Sequence, residues 1–441
     1  MSLLDDPQAQ ALLDDAILTP EAVQSCADRL TSFLQRSLPK FYRAEHRTHA
    51  TLVIRGLISG LERKSCEPIA IAAGLPRKPI QFFVGAGKWD DEAVMAEWRA
   101  HVHDDWAAAE GVVIIDPSGF PKKGTESCGV ARQWCGRLGK VDNCQVGVFL
   151  AYASSTGYGP LDRRLFLPED WAGDPGRRQK GHVPPEVSFQ ESGRIALELL
   201  DRSLPGLPQG WITGDDELGR ATQFRAALRR RGERSVLDVP CNTSIRDLER
   251  SPPRRRRKGR GRKPKVPFQR VDAWARSQPE SRWVRLTVRD AETGPLEVEA
   301  MTVRVQTKEE RRVGPEERLL VLRTVGESKI DYAVTHAAAD IPLAEVVRIQ
   351  RQRHRIEEVF AAGKGEVGLD HSEVRSWVGW HHHMTLALVA LWFLCLERRR
   401  VGGKNPGRHG VAGPTDLHEV APESTAAGSH HRCRGQPRLA A

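Results

Sequence analysis

The apolar run Val112-Val113-Ile114-Ile115 stops at Asp116, and Pro117-Ser118-Gly119 follows at once. Four consecutive β-branched residues bounded by turn formers read as a buried strand that ends in a carboxylate. Before this point the apolar residues recur at helical spacing, as in Val23, Cys26, Leu30 and Phe33, and again in Leu52, Ile54 and Leu57. The period therefore changes near Gly111, from a helical beginning to a strand-bearing continuation. The strand-plus-acid pattern returns at Trp211-Ile212-Thr213-Gly214, which ends at Asp215.

The remaining pattern predicts an α/β chain. Gln145–Tyr152 and Arg164–Pro168 read as strands, 189–200 and 221–231 as helices, and Ser235–Val239 as a further strand. Strand-like runs at 283–288, 296–305, 319–325 and 332–334 predict an antiparallel β insertion, and Val346–Ala362 predicts one long helix. This gives five segments. Residues 1–105 form a helical N-terminal domain with a possible helix-turn-helix around Ile69–Pro76 and possible DNA binding. Residues 106–243 are the first part of a mixed-sheet core, and 244–340 a basic linker and β insertion. Residues 341–400 are its helical second part, and 401–441, rich in Gly, Pro, Ala, His and Ser, a disordered tail.

Three acids carry the chemistry. Cutting or exchanging a phosphodiester needs an activated hydroxyl and a stabilised leaving oxygen, and two hard divalent cations clamped by carboxylates provide both. Asp116 and Asp215 end predicted strands, where rigid backbone would fix them. Glu357 lies in the predicted long helix, and Arg353, Glu357 and Lys364, at i, i+4 and i+11, fall near one helical face. Asp216 and Glu217 beside Asp215, Glu358 beside Glu357, and Glu366 are rival acids.

The spacing Arg-x3-Glu-x6-Lys resembles the Tyr-x2-Arg-x3-Glu-x6-Lys signature of the DDE transposases of bacterial insertion sequences. The segments Ile-Ile-Asp-Pro-Ser-Gly-Phe-Pro-Lys-Lys-Gly (114–124) and Gly-Arg-Leu-Gly-Lys-Val-Asp-Asn-Cys-Gln-Val-Gly-Val (136–148) resemble the same group. So do Leu-Pro-Glu-Asp-Trp (167–171) and Gly-Lys-Gly-Glu-Val-Gly-Leu-Asp-His-Ser-Glu-Val-Arg-Ser-Trp (363–377). The signature Tyr is replaced by Gln350. The resemblance spans most of the chain. It implies an RNase H-like core interrupted by a β insertion, with Asp116, Asp215 and Glu357 as catalytic and metal-binding acids. It also implies Arg353 and Lys364 as DNA-contacting cations, Mg²⁺ (with Mn²⁺ as a substitute), and double-stranded DNA as partner. That DNA would be the element's terminal inverted repeats and the target, held by a homodimer. The expected activity is cutting and joining of element ends; the alternative is a catalytically decayed or repurposed nucleic-acid-binding protein of the same ancestry.

Charge supports a polyanionic partner. The formal net charge is +10, and nine of the twelve residues at 254–265 are Arg or Lys. Within that run Arg254, Arg255, Arg256, Arg257, Lys258, Arg260, Arg262 and Lys263 would contact phosphate without sequence preference. Lys122 and Lys123 are placed to do so near the first acid, and Arg132, Arg137 and Lys140 flank a candidate hairpin. The eight cysteines contain no Cys-x-x-Cys pair, which argues against a zinc site. His381-His382-His383 cannot converge on one ion if helical, and read as a helix start facing DNA or solvent. Trp377 and Trp380 read as core. Met384–Leu396 is too short to span a membrane and reads as a buried helix, so the expectation is a cytoplasmic, nucleoid-associated protein with no membrane partner.

Overall fold

In the computed structural model, residues 20–251, 265–289, 296–309 and 312–400 are described. The chain forms two compact units. One holds the described residues up to Gln209 and from His354 onward, and the other runs Gly210–Arg353. The basic residues Arg254 to Lys263 and the expected tail 401–441 lie outside the described residues.

The first unit begins with helices α1 (Pro20–Ser37), α2 (Ala44–Ile58), α3 (Cys66–Ala72), α4 (Arg77–Ala86) and α5 (Asp91–Trp106), the expected helical beginning. The Asp90 side chain caps α5 by accepting from the N–H groups of Glu92 and Ala93 at 2.9 and 3.0 Å. Helices α3 and α4 follow each other across a short turn, where the helix-turn-helix was expected. Strands β1 (Val112–Pro121), β2 (Ala131–Cys135), β3 (Lys140–Ser154) and β4 (Gly157–Leu165) follow, with β3 pairing antiparallel to each of the other three. Helices α6 (Glu169–Ala172), α7 (Pro175–Lys180) and α8 (Ser192–Ser203) complete this stretch.

Two expectations about these strands need correction. The Pro117-Ser118-Gly119 segment does not turn. β1 continues through it, with Asp116 opposite Phe149 and Pro117 opposite Val148. In an antiparallel ladder only alternate residues bond a given neighbour, so a single proline need not end the pairing. The strand expected at Arg164–Pro168 lies earlier, at Gly157–Leu165, because its Asp162 and Arg163 suggest surface but are buried. Asp162 accepts from Arg202 at 2.7 and 2.9 Å and from Ser203 at 2.8 Å, and Arg163 pairs with Asp91 and Thr385. Partnered charges can be buried; unpartnered ones cannot.

The second unit opens with a βαβ crossover: β5 (Trp211–Gly214), α9 (Asp216–Arg220), α10 (Thr222–Arg230) and β6 (Ser235–Asp238), with β5 and β6 parallel. Then come β7 (Ser244–Asp247), β8 (Gln269–Arg270), α11 (Val271–Arg276), β9 (Val284–Arg289), β10 (Leu296–Glu309), β11 (Arg312–Thr324) and β12 (Asp331–Thr335). These strands are antiparallel as expected, and β12 pairs with β6. Ile245, Val271, Trp274, Met301, Val303, Leu319, Val321 and Val334 form their apolar core. Helix α12 (Leu343–Gln352) closes the unit.

The chain returns to the first unit with α13 (His354–Glu366) and α14 (Trp377–Arg400). The single helix expected over 346–362 is thus two helices. Arg353 keeps helical dihedrals (φ −52°, ψ −37°), but its N–H bonds Gln350 O, three residues back, and this tighter turn breaks the regular ladder. The middle of helix α14, residues 384–393, is apolar but for Thr385 and is buried throughout. Helix α14 is the one described helix long and apolar enough to cross a membrane, and it is mostly buried within the protein. Trp392 lies edge-on to Trp98, with ring centres 4.5 Å apart, and Trp377 and Trp380 are core residues as expected. The three histidines face neither DNA nor solvent: all are buried, and His382 stacks on Trp89 at 3.7 Å. Burial holds the His382 imidazole down at about 4, so it is neutral. The architecture is mixed α/β with a helical N-terminal region, and its strand sequence fits the RNase H-like class expected.

Lys64 ties the helical beginning to α13. Its buried ammonium donates to Leu57 O at 3.0 Å, at the end of α2, and to Glu366 O, at the end of α13. Cations complement the carbonyl-rich ends of helices. Lys64→Met is expected to cost about 2 kcal/mol by leaving buried carbonyls without a donor. Hydrogen exchange should show the loss of protection concentrated at the ends of α2 and α13.

Candidate active site

In the first unit the site is built on β1. Successive strand residues alternate faces, so Asp116, Ser118 and Phe120 share one face. Helix α13 packs on that face: Lys364 Nζ donates to Ser118 Oγ at 3.1 Å and lies 5.5 Å from the ring centres of Phe120 and Phe360. Burial and the nearby Arg137 guanidinium lower the Lys364 pKa, while Asp370, Cys135 and Asp116 pull the other way. Lys364 is therefore within electrostatic reach of Asp116 while held by a neutral hydroxyl.

Glu357 lies two turns before Lys364 on α13, about 10 Å along the axis. Its side chain is 47% exposed and pairs with His354 at 3.2 Å. The neighbouring Glu358 is committed elsewhere. It accepts from Arg355 at 2.7 Å, and Arg355 lies over the Tyr158 ring at 4.6 Å. Glu366 pairs with Arg398 at 3.6 Å, and its carbonyl takes the Lys64 bond. The packing thus commits Glu358 to Arg355, while Glu357 and Glu366 both stay part-exposed, at 47% and 38%. Lys122 is not a free cation: its ammonium donates to Ser372 O, and burial lowers its pKa. Lys123 is exposed.

In the second unit, Asp215 leaves β5 and caps α9 by accepting from Leu218 N–H at 3.1 Å. Burial and the Glu217 and Asp216 carboxylates hold its pKa well above the usual carboxylate range, and Arg353 offsets only part of this. Asp216 points toward Arg220, 4.0 Å away, and Glu217 is exposed, so Asp215 is the inward acid of the three.

A fourth acid, Asp238, joins these. β5 and β6 run parallel with Gly214 opposite Leu237, so Asp215 and Asp238 leave adjacent strands at the same level. Asp238 accepts from Gln350 Nε2 at 3.0 Å and pairs with Arg353 Nε at 2.8 Å. Burial pushes its pKa up to about 6 against the pull of that guanidinium. Gly219 permits this approach, since a Cβ there would meet the Asp238 carbonyl oxygen at 1.8 Å. Ser235-Val236-Leu237-Asp238 repeats the strand-plus-acid pattern that singled out Asp116 and Asp215, so the signal was present. The structure also gives Gln350, at the signature Tyr position, a definite task, and it holds Arg353 on a protein carboxylate.

Among the described residues, no three His, Cys, Asp or Glu side chains form a ready metal cluster. Mg²⁺ does not demand one, because it keeps several waters and is held by one or two carboxylates plus substrate phosphate. The donors are hard oxygens, and the acidic surroundings that raise the Asp215 pKa are those a divalent cation would neutralise, so the residues fit such an ion.

Comparison with known proteins adds two findings. A family profile described as DDE superfamily endonuclease matches residues 36–308. Over 94 residues the chain is 34% identical to the probable transposase for insertion sequence element IS701 of Microchaete diplosiphon, a match covering 21% of this chain and 25% of that protein.

The raised Asp238 pKa has a testable consequence. A carboxyl with a folded pKa above its unfolded value contributes stability at low pH that is lost as pH rises through the folded pKa. In metal-free buffer, the stability of Asp238→Asn relative to the unsubstituted protein should therefore increase from about pH 4 to about pH 6 and then level off. Denaturant unfolding across that window measures it.

Proposed function

This chain belongs to the DDE superfamily of endonucleases, and from that premise we propose that it is a DNA transposase. It would cut the ends of a mobile element and join them to target DNA by metal-assisted phosphoryl transfer. The observation that carries the reading is the Lys364–Ser118 bond. It holds the helix bearing Glu357 against the face of β1 that bears Asp116. The resemblance of part of the chain to the probable transposase for IS701 points the same way.

In this reading Asp116, Asp215 and Glu357 are the metal-binding acids, and Mg²⁺, or Mn²⁺ in its place, is the ion. Bound there, the ion would activate the attacking hydroxyl and stabilise the leaving oxygen. The chain's own residues supply the rest. Asp215, fixed at a strand end by its capping bond, presents a carboxylate with little freedom to move. Lys364 brings positive charge to the Asp116 face and offers its ammonium to a phosphate oxygen. Asp238 and Gln350 fix Arg353, which is a positioning residue before it is a DNA contact. The partner is double-stranded DNA, first at the element's terminal repeats and then at the target. A homodimer would bring two ends together. The basic run 254–265 and Lys123 would add contacts to the phosphate backbone. A nucleoid location follows from that substrate.

The test uses the full chain, Mg²⁺ and a plasmid carrying the DNA that flanks the gene on both sides. Nicked, linear and joined products are expected, and chelation should remove them. Asp116→Asn, Asp215→Asn and Glu357→Gln should each lower cleavage by at least about 100-fold while binding to the flanking DNA persists. Undiminished cleavage by one variant would remove that residue from the site.

A further inference from the structure

The hairpin of β2 and β3 carries a surface that neither the fold nor the acids require. Residues 136–141 are all exposed at its tip. Trp134 lies opposite Val141, and three apolar side chains stand in the open: Trp134 at 46% exposure, Val141 at 43% and Leu138 at 41%. Contiguous large apolar groups left in the open mark interaction sites. The tip is well defined: Gly139 takes the left-handed conformation (φ 61°) that closes the turn, and its N–H bonds Gly136 O at 3.2 Å.

Its surroundings are basic. Arg132 shares the exposed face with Trp134, and Arg137 and Lys140 flank Leu138. Two acids are near: Asp142 pairs with Lys140 at 3.0 Å, and Asp370 pairs with Arg137. The hairpin is also fastened beside the acid-bearing strand. A Cβ on Gly119 of β1 would meet Cys135 Sγ at 2.8 Å, and Cys135 pairs with Lys140 beside the turn, so the strand passes in direct contact with the tip end of the hairpin. Arg137 is near enough to Lys364 to lower its pKa, and Lys364 bonds Ser118.

We infer that this hairpin is a DNA-end clamp in which Trp134, backed by Leu138 and Val141, stacks on an unpaired base. Arg132 and Lys140 take the adjoining phosphates. The inference rests on the DNA-acting reading above and adds a preference to it, for DNA with an unstacked strand over intact duplex. A lone basic patch would bind both alike, whereas an exposed aromatic surface gains only from a base whose face is open.

The experiment measures binding without cleavage, in chelator, by fluorescence anisotropy of the full chain. One probe is a labelled blunt duplex of about 20 base pairs; the other is the same duplex with a single-stranded extension of about four nucleotides. The unsubstituted protein should favour the extended probe. Trp134→Ala should lose about tenfold on that probe and leave blunt-duplex binding unchanged, Leu138→Ser should lose part of the preference, and Trp134→Phe should keep most of it. Arg132→Ala with Lys140→Ala should weaken both probes and flatten the salt dependence. Equal binding of the two probes by the unsubstituted protein, or an unchanged preference in Trp134→Ala, would overturn the hairpin assignment and leave the nuclease reading standing. Failure to bind either probe would overturn both.

Discussion

Burying the apolar middle of helix α14 organises the first unit. Its 384–393 stretch presents apolar side chains on every side, so other elements must cover the whole circumference there. Strand β4 and helices α2, α4 and α5 lie against it. The rings of Trp98, Trp106 and Trp392 fill the space between α5 and α14, with Trp106 and Trp392 centred 3.9 Å apart. The same enclosure explains the three neutral histidines and the partnered charges of Asp162 and Arg163. Once polar groups are drawn into such a core, they must find each other.

The acids are placed by a different principle. Asp116 lies within β1, and Asp215 and Asp238 end or just follow the short buried strands β5 and β6, where backbone is rigid and water is scarce. Scarcity of water raises the pKa of Asp215 and Asp238, and rigidity keeps each carboxylate from relaxing toward solvent. Arg353 is engaged by Asp238, and Lys364 by Ser118, so the two cations of the sequence signature are anchored on protein groups. For α13 this anchoring is also mechanical. Lys364 holds its face to β1, and Lys64 holds its end to α2.

Much of this was legible in the residues. The change of period at Gly111, the strand-plus-acid motifs, the buried helix at 384–396 and the antiparallel run after residue 280 all follow from local patterning that tertiary packing reinforced. The failures share a cause. Pro117 suggested a turn, yet β3 recruits the residues beyond it into a ladder. Asp162 and Arg163 suggested surface, yet Arg202, Ser203 and Asp91 neutralise them. The histidine run suggested solvent, yet its neighbours enclose it. In each case a residue with a strong local preference meets a partner far away in sequence.

The sequence by itself determined an α/β chain with a helical beginning and most of its strands and helices, and it nominated Asp116, Asp215 and Glu357. Their residue types, strand-end contexts and spacing are local properties. Only the tertiary structure decided that Glu357 is exposed while Glu358 is committed to Arg355. It alone revealed Asp238 as the partner of Arg353 and Gln350, and Lys122 as a strut. Burial and hydrogen-bond partnership depend on which distant residues share a small volume, and no spacing rule along the chain contains that information.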